Sequence, residues 1–392
     1  MRKRKGVAVQ NVMVDFQFEG SMMRYSKFVP RFYNLCKSYG FEPGRIMPSR
    51  AFCSDENQGF PIILITKHFG AFPFNHGLVG GIVATDRHGP HAHHGKDLVI
   101  IQASHVGYEP ETGTFGVYRR LQMDPSAHTA SCGKIDAVLE WYQQEYHFAK
   151  ENVSFTLMDG QAVVIIDNQF LDNGREDGLF LALDNIVDME KGNPPEPLHV
   201  LSTSKVFRIN PAFKARLPQS LWKSDNRVPI NEQLTADLFY FRRNVSTAIE
   251  GRDQLEHNLS RYMSQIVTAR FPALTAALAN TQIEFDRTYR TLIKEPGYHG
   301  KNLAFIAGIN IDISPRKGQL FPLTKFVPWA AYIQTQDEKQ FTLEQKEIVE
   351  ALNAQSFVNP DRIELSKAIQ VMESTPEIKI TLPASQPICP SV

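Results

Sequence analysis

Two cysteines and one histidine are the residues best suited to chemistry in this chain of 392 residues. Cys53 ends a predicted strand and lies two residues before Asp55, so a thiolate and a carboxylate could approach one point. His105 directly follows another predicted strand, and Cys132 lies just before a predicted helix. Two cysteines and one histidine suit zinc, at ~2.3 Å from sulfur and ~2.0 to 2.1 Å from nitrogen, and leave a fourth position for water or a carboxylate. The trio therefore predicts a catalytic zinc site.

Alternating helices and strands must position these side chains. Apolar residues recur at helical spacing in two segments, and short apolar runs bounded by turn residues are typical of buried strands. The predicted helices are Phe28–Tyr39 and Ile135–Tyr146, and the predicted strands are Arg45–Cys53, Phe60–Thr66, Leu98–Ala103, Val153–Met158 and Gln161–Asp167. The last two strands flank Asp159-Gly160, a strong hairpin signal. This order predicts an α/β layer fold.

A proline-rich segment divides the chain. Residues 191–197 carry three prolines within four positions, which excludes a helix and disfavours a central strand. We therefore predict a first domain over residues 1–190, a mixed α+β domain of unknown role over 198–380, and a loose tail over 381–392. In the second domain we expect a helix over Leu255–Val267, a helix after Pro272, a half-buried strand over Ile309–Ile313 and a helix that opens at Thr342 with a capping-box pattern.

Composition excludes several classes of function. Lys plus Arg and Asp plus Glu both number 42, so no global field draws the chain onto nucleic acid. The apolar runs are far shorter than the roughly 18 to 20 residues that cross a bilayer, and no secretion signal is evident. Four cysteines at wide, irregular spacings argue for reduced thiols rather than disulfides. We expect a cytoplasmic protein with neither nucleic-acid nor membrane partners.

Between about Tyr25 and Asp159 the sequence resembles a known family. Short motifs in matching order and approximate spacing carry the likeness: Ser38-Tyr-Gly-Phe at a helix end, Cys53-x-Asp-Glu, Gly70-Ala-Phe-Pro-Phe, Ser104-His-Val-Gly, Gly113-x-x-Gly116 followed by Arg119, and Thr129-Ala-Ser-Cys-Gly. Together they resemble the limiting-CO2-inducible B/C proteins, the β-like group that includes the theta carbonic anhydrases. The likeness covers about a third of the chain.

The resemblance implies a β-carbonic-anhydrase-like sheet flanked by helices and a homodimer. It also implies a zinc ion held by Cys53, His105 and Cys132, which hydrates CO2 to bicarbonate through zinc-bound hydroxide with Asp55 beside it. In β-type enzymes the pattern is Cys-x-Asp-x-Arg, whose arginine pairs with the aspartate. Here Asn57 occupies the arginine position, so Arg50 or Arg119 would have to replace it, and spacing alone does not choose between them.

Two other functions compete with this hypothesis. One is a zinc-binding but catalytically silent sensor or assembly protein, which the Asn57 substitution favours slightly. The other is a cysteine-nucleophile hydrolase that pairs Cys53 or Cys132 with His105. A second histidine cluster competes as a metal site, but its Gly and Pro residues and its lack of apolar anchors favour a solvated loop. That cluster comprises His88, His91, His93 and His94.

Overall fold

The computed structural model describes residues 16–376 with internal gaps. The gaps are residue 19 and residues 85–89, 91–96, 120–127, 172–173, 190–194, 224, 245–252, 317–318 and 320–322. The strands are β1 (Met23–Arg24), β2 (Ile46–Phe52), β3 (Phe74–Asn75), β4 (Asp97–Glu109), β5 (Thr114–Phe115), β6 (Val117–Tyr118), β7 (Thr129–Ala130), β8 (Val153–Met158), β9 (Gln161–Asp167), β10 (Gly178–Leu181), β11 (His199–Val200), β12 (Ser204–Arg208), β13 (Val228–Pro229), β14 (Phe239–Arg242), β15 (Leu303–Ile313), β16 (Leu323–Gln334) and β17 (Gln340–Glu344). The α-helices are α1 (Tyr25–Ser38), α2 (Gly59–Phe69), α3 (Gly133–Asn152), α4 (Leu183–Ile186), α5 (Pro211–Arg216), α6 (Asp253–Ser260), α7 (Met263–Thr268), α8 (Pro272–Lys294), α9 (Gln345–Asn353) and α10 (Leu365–Ser374).

A mixed central sheet forms the centre of the fold. Its strand order is β1-β16-β15-β4-β2-β3, with β17 on β16 and β5 on β4. Strands β15, β4, β2 and β3 run parallel, whereas β16 is antiparallel to β15. Strands β4 and β15 are buried on both faces, as is typical of parallel strands covered by helices. The predicted α/β sheet flanked by helices is therefore confirmed.

Helices cover both faces of this sheet because alternate side chains of β4 and β15 point to opposite sides. Residues such as Val99 and Ile306 pack against α1, α2 and α9. Ile100 and Phe305, on the other face, pack against α8. The largest apolar cluster joins α3, α6, α7 and α8 to the hairpin of β8 and β9, which belongs to an antiparallel sheet of order β11-β12-β9-β8-β13.

Several sequence predictions of elements are correct. Helix α1 and helix α3 form where the apolar periodicity places them, and β8 and β9 form the predicted hairpin around Asp159. Cys53 directly follows β2, as predicted, and Cys132 is the N-cap residue of α3.

One prediction in the first half is wrong and another is imprecise. The apolar run from Phe60 to Thr66 is not a strand but most of α2. A short apolar run does not distinguish a buried strand from a buried helix, because every position is apolar in both. His105 lies within β4 rather than after it, since this strand continues for four residues beyond the histidine.

The second half also departs from prediction at three places. The expected single helix over 255–267 is divided into α6 and α7. The segment Ile309–Ile313 is buried on both faces except at its last residue, so it is a central strand rather than a half-buried one. Thr342 belongs to β17, and α9 is instead capped by Glu344 and Glu347 in a capping box.

Strands from both sides of the proline-rich segment share the central sheet. Strand β4 pairs with β15 along eleven residues of each strand, from Leu98 and Leu303 onward. The predicted division into two domains stays a prediction, and the tail over 381–392 lies outside the described residues. In the described part of the chain no helix combines the length and apolar character needed to cross a membrane.

Candidate metal centre

Three elements each deliver one ligand to a common point. Cys53 follows β2, His105 lies in β4 and Cys132 begins α3. One ligand atom from each residue lies within 4.8 Å of the others, and all three residues are buried. Two sulfurs bound ~2.3 Å from a tetrahedral ion would lie ~3.8 Å apart, so the group has the spacing to hold a metal ion. It is the sole such group of His, Cys, Asp and Glu found among the described residues.

Glycine at position 107 lets the Cys132 turn approach β4. A Cβ at Gly107 would lie 2.4 Å from the carbonyl oxygen of Val117 and 2.6 Å from Cβ of Ser131. The close approach is fastened by a hydrogen bond of 2.6 Å, in which the Gly107 amide donates to Oγ of Ser131. Because Ser131 precedes Cys132, this contact holds the Cys132 thiol near His105.

His105 is oriented by a carboxylate from the second half of the chain. Its Nδ1 lies 2.8 Å from Oδ2 of Asp312, and both side chains are fully buried. Nε2 of His105 is buried without a hydrogen-bond partner. A carboxylate on one imidazole nitrogen and a free second nitrogen are the arrangement that metal-binding histidines adopt in proteins. Nε2 is therefore the nitrogen available to a cation.

A chain of buried polar side chains holds Asp312 in turn. Nε2 of Gln58 donates to Oδ2 of Asp312 at 2.8 Å, and the Thr324 hydroxyl donates to Oδ1 at 3.0 Å. Asn310 donates to Oε1 of Gln58 at 2.6 Å, and the hydroxyl of Tyr25 donates to Asn310 at 2.6 Å. A buried polar group is costly unless it is hydrogen-bonded, and this chain provides those bonds.

Cys53, His105 and Cys132 shift one another's pKa values. The pKa of Cys53 is lowered to about 4, chiefly because the Cys132 thiol donates a hydrogen bond to its sulfur. The same bond, together with burial, raises the pKa of Cys132. Burial opposes the charged form of His105, but the charge of Cys132 and the hydrogen bond to Asp312 outweigh it and raise the pKa of His105. Binding of a divalent cation would therefore displace protons from these side chains.

A backbone amide also contacts the cluster. The Gly80 N–H donates to Sγ of Cys53 at 3.2 Å. Gly80 and Gly81 have φ values of +80° and +76°, in the left-handed region that favours glycine. The turn can therefore direct its amide at the sulfur without a side chain in between.

The sequence of this segment has recognisable relatives. Residues 22–189 match the family described as limiting CO2-inducible proteins B/C beta carbonic anhydrases. The matched segment comprises 168 of the 392 residues. It contains Cys53, His105 and Cys132, whereas Asp312 lies outside it. No curated protein matches the chain.

Solved structures of limiting-CO2-inducible proteins are similar to the chain. One is PtLCIB4, a homolog of the limiting CO2-inducible protein LCIB, with 13% identity, a TM-score of 0.49, and coverage of 86% of this chain and 99% of PtLCIB4. Another is LCIB itself, with 13% identity, a TM-score of 0.41, and coverage of 84% of this chain and 100% of LCIB.

Asp55 and Asn57 are the other residues of interest in the Cys53 motif. Asp55 is the N-cap of a short 3-10 helix over Glu56–Gln58, and its carboxylate accepts from the Asn57 amide at 3.4 Å. Asp55 is not part of the three-residue group found in the described part of the chain. Asn57 is 3% exposed, and its Nδ2 is buried without a hydrogen-bond partner. A neutral amide therefore stands where β-type enzymes place the arginine.

The two candidate arginines occupy different places. Arg50 is a partly buried residue of β2, and its pKa is lowered by burial. Its charge contributes to a lowered pKa of the buried His76. Arg119 lies 3.9 Å from Glu109 and 3.6 Å from Glu111 in two ion pairs. The roles of Arg50 and Asp55 in chemistry stay predictions.

Sequence reasoning missed Asp312, Gln58 and Asn310. The alternation of Ile309–Ile313, in which two polar residues fall on one face of a strand, carries a signal for Asn310 and Asp312 but none for Gln58. The alternation predicts that this face is exposed to solvent, but Asn310 and Asp312 are fully buried. The competing histidine cluster at 88–94 lies outside the described residues.

Proposed function

We propose that the chain is a zinc-dependent carbonic anhydrase that interconverts CO2 and bicarbonate. The observation that carries the proposal is the buried group of Cys53, His105 and Cys132, in which Nε2 of His105 has no other partner and Nδ1 is held by Asp312. Two thiolates and one imidazole are donors that suit zinc rather than calcium or magnesium. The match of residues 22–189 to the limiting CO2-inducible B/C beta carbonic anhydrases supports the same chemistry.

In this proposal each residue of the site has a distinct role in binding zinc or positioning water. Cys53 and Cys132 bind the ion as thiolates, and Asp312 keeps the His105 imidazole in the tautomer that binds through Nε2. A zinc ion held there would supply the acidification of a water molecule on which CO2 hydration at neutral pH depends. Two thiolates oppose that acidification because they donate charge to the ion, and the Gly80 N–H withdraws part of that charge from Cys53. Asp55, beside Cys53, would orient the attacking water or gate the site.

The proposal also covers assembly and location. We infer a homodimer in the cytoplasm, with CO2 and bicarbonate as the small-molecule partners and with neither nucleic acid nor membrane as a partner. The free state of Cys36, Cys53 and Cys132 supports a reducing compartment.

A second function has one observation in its favour. Asn57, a neutral residue, replaces the arginine that pairs with the aspartate in β-type enzymes. In such a protein the Asp55 carboxylate would itself take the fourth position on the ion and exclude water. The protein would then bind zinc but remain catalytically silent.

Metal analysis combined with stopped-flow CO2 hydration from about pH 6 to 9 tests the proposal. We expect about one zinc per chain and measurable turnover in the wild-type protein. Cys53→Ser should lose both. Cys36→Ala is the matched control, because Cys36 is an equally buried thiol on the buried face of α1. This variant should keep both the zinc and the turnover.

The other outcomes identify the alternatives. Stoichiometric zinc without turnover at any pH would support the silent protein. A protein that purifies and folds without zinc, and does not take it up, would overturn the proposal. In that case rapid alkylation of Cys53 or Cys132 would favour the hydrolase.

A further inference from the structure

One face of helix α8 is hydrogen-bonded to residues 80–83, which include the glycine turn at the proposed metal centre. Asn280, Glu284 and Arg287 are spaced four and three residues apart, so they lie along one side of the helix. All three make hydrogen bonds to the backbone of residues 80–83. Helix α8 lies well beyond the segment that matches the carbonic-anhydrase family.

Asn280 holds the turn itself. Its Nδ2 donates to the carbonyl oxygens of Gly80 at 3.2 Å and Gly81 at 3.4 Å, and to Oγ of Ser104 at 2.9 Å. Its Oδ1 accepts a hydrogen bond of 2.9 Å from Asn258 of α6. Ser104 precedes the ligand His105 in β4, so Asn280 connects the turn to the strand that carries the histidine.

Glu284 holds the end of the same segment. Its Oε2 accepts from the Val83 amide at 2.8 Å, and its Oε1 accepts from Asn258 at 2.7 Å. Arg287 pairs with Glu284 at 2.5 Å and also donates to the carbonyl oxygen of Val83. The Glu284 side chain is fully buried.

Packing alone does not account for this arrangement. Taking a carboxylate out of water is costly, and an apolar side chain of similar volume is often as stabilising. The polar contacts of Asn280 and Glu284 instead fix the backbone of a turn that makes few side-chain contacts. Gly80 and Gly81 have no side chains to pack, and a Cβ on Gly81 would lie 3.0 Å from Cα of Ser104.

The position of the turn matters because its amide is hydrogen-bonded to a proposed metal ligand. The Gly80 N–H donates to Sγ of Cys53 at 3.2 Å, and Asn280 binds the carbonyl oxygen of that same glycine. A shift of the turn would lengthen the N–H to sulfur contact. A hydrogen bond to a thiolate lowers the charge that the sulfur donates to a bound ion, so the contact tunes the metal.

We propose that Asn280 and Glu284 are positioning residues of the metal centre, which act through the Gly80 amide on Cys53. This inference rests on the proposed metal binding at Cys53, His105 and Cys132. The second half of the chain thereby controls the electronic character of a site whose ligands all lie in the first half.

Metal affinity and the spectrum of the cobalt-substituted protein test the inference. Asn280→Ala and Glu284→Gln should each weaken zinc binding by about 10- to 100-fold in competition with a chelator. With Co²⁺ in place of zinc, their sulfur-to-metal charge-transfer band should move to lower energy, because the Cys53 thiolate has lost a hydrogen bond. Turnover is not needed for either measurement.

Thr281→Val and Thr288→Val are the matched controls. Both threonines are buried in α8, but they donate to Gly308 and Gln102 rather than to residues 80–83. These variants should keep the wild-type affinity and band position. Far-UV circular dichroism of every variant identifies any that fail to fold, and Glu284→Gln preserves the shape of the side chain.

Each outcome decides between the claims. Wild-type affinity and an unmoved band in folded Asn280→Ala and Glu284→Gln would overturn the inference and leave the proposed function standing. Equal band shifts in the threonine controls would also overturn it, because they would indicate a general loosening of α8. Absence of metal from the wild-type protein would overturn the proposed function itself.

Discussion

At the scale of single residues, Asp312 decides which nitrogen of His105 can bind a cation. The Asp312 carboxylate lies 2.8 Å from Nδ1, so Nε2 remains available to a cation. Gln58 and Thr324 donate hydrogen bonds to the Asp312 carboxylate, and these bonds fix its orientation. A residue outside the group of Cys53, His105 and Cys132 thus determines which atom of His105 is available to a cation.

Asp312→Asn tests this role. The amide keeps the volume of the carboxylate but loses its charge and can donate to Nδ1, which would leave the proton on Nε2. We expect zinc affinity to fall by about 10- to 100-fold, measured by competition with a chelator.

Thr324→Val is the control for Asp312→Asn. It removes the hydrogen bond to Oδ1 of Asp312 and leaves the contact between Asp312 and His105 in place. Its effect on zinc affinity should be smaller. Equal losses in the two variants would contradict an orienting role for the carboxylate.

At the scale of elements, close backbone approach brings the site together. The segment after β3 packs directly on the end of β2, next to Cys53. A Cβ at Gly77 would lie 2.0 Å from the carbonyl oxygen of Phe52, a distance that atoms in contact do not adopt. Gly77 therefore permits the contact between this segment and the cysteine-bearing strand end.

Gly77→Ala should destabilise the protein by about 1 to 3 kcal/mol, because backbone must move to make room. It should also weaken metal binding, since Phe52 precedes Cys53. Gly59→Ala is the control, because a Cβ there meets nothing within 4 Å at the start of α2. Denaturant unfolding measures both variants, and equal stabilities would show that the segment yields without cost.

At the scale of the whole molecule, the two halves of the chain share one sheet. Strand β15, from the second half, lies between β4 and β16 and carries Asp312 to His105. A first half without β15 would expose the apolar side chains and the hydrogen-bonding groups along one edge of β4.

A fragment of residues 1–190 tests whether the first half is an independent domain. The shared sheet leads us to expect that the fragment will aggregate or lack cooperative unfolding, and that it will not bind zinc. Co-expression with residues 198–392 as a separate chain should restore both properties. A folded, zinc-binding fragment would instead confirm the domain boundary predicted from the prolines.

The local sequence was sufficient to single out the three proposed ligands and to predict helices α1 and α3. Cys53 and Cys132 lie at a strand end and a helix start, and both positions follow from apolar periodicity over a few residues. The resemblance to the family motifs then implied that Cys53, His105 and Cys132 bind one ion together. Neither source of information required contacts between distant parts of the chain.

Tertiary structure decided the rest. The apolar run in α2 fits a strand or a helix by composition, and packing against α1 and β2 selected the helix. Asp312 is separated from His105 by 207 residues, and the polar face of its strand resembles a solvent-exposed face in the sequence. Only the position of β15 inside the sheet buries that face, because burial depends on which strands and helices lie alongside and not on the residues of the strand itself.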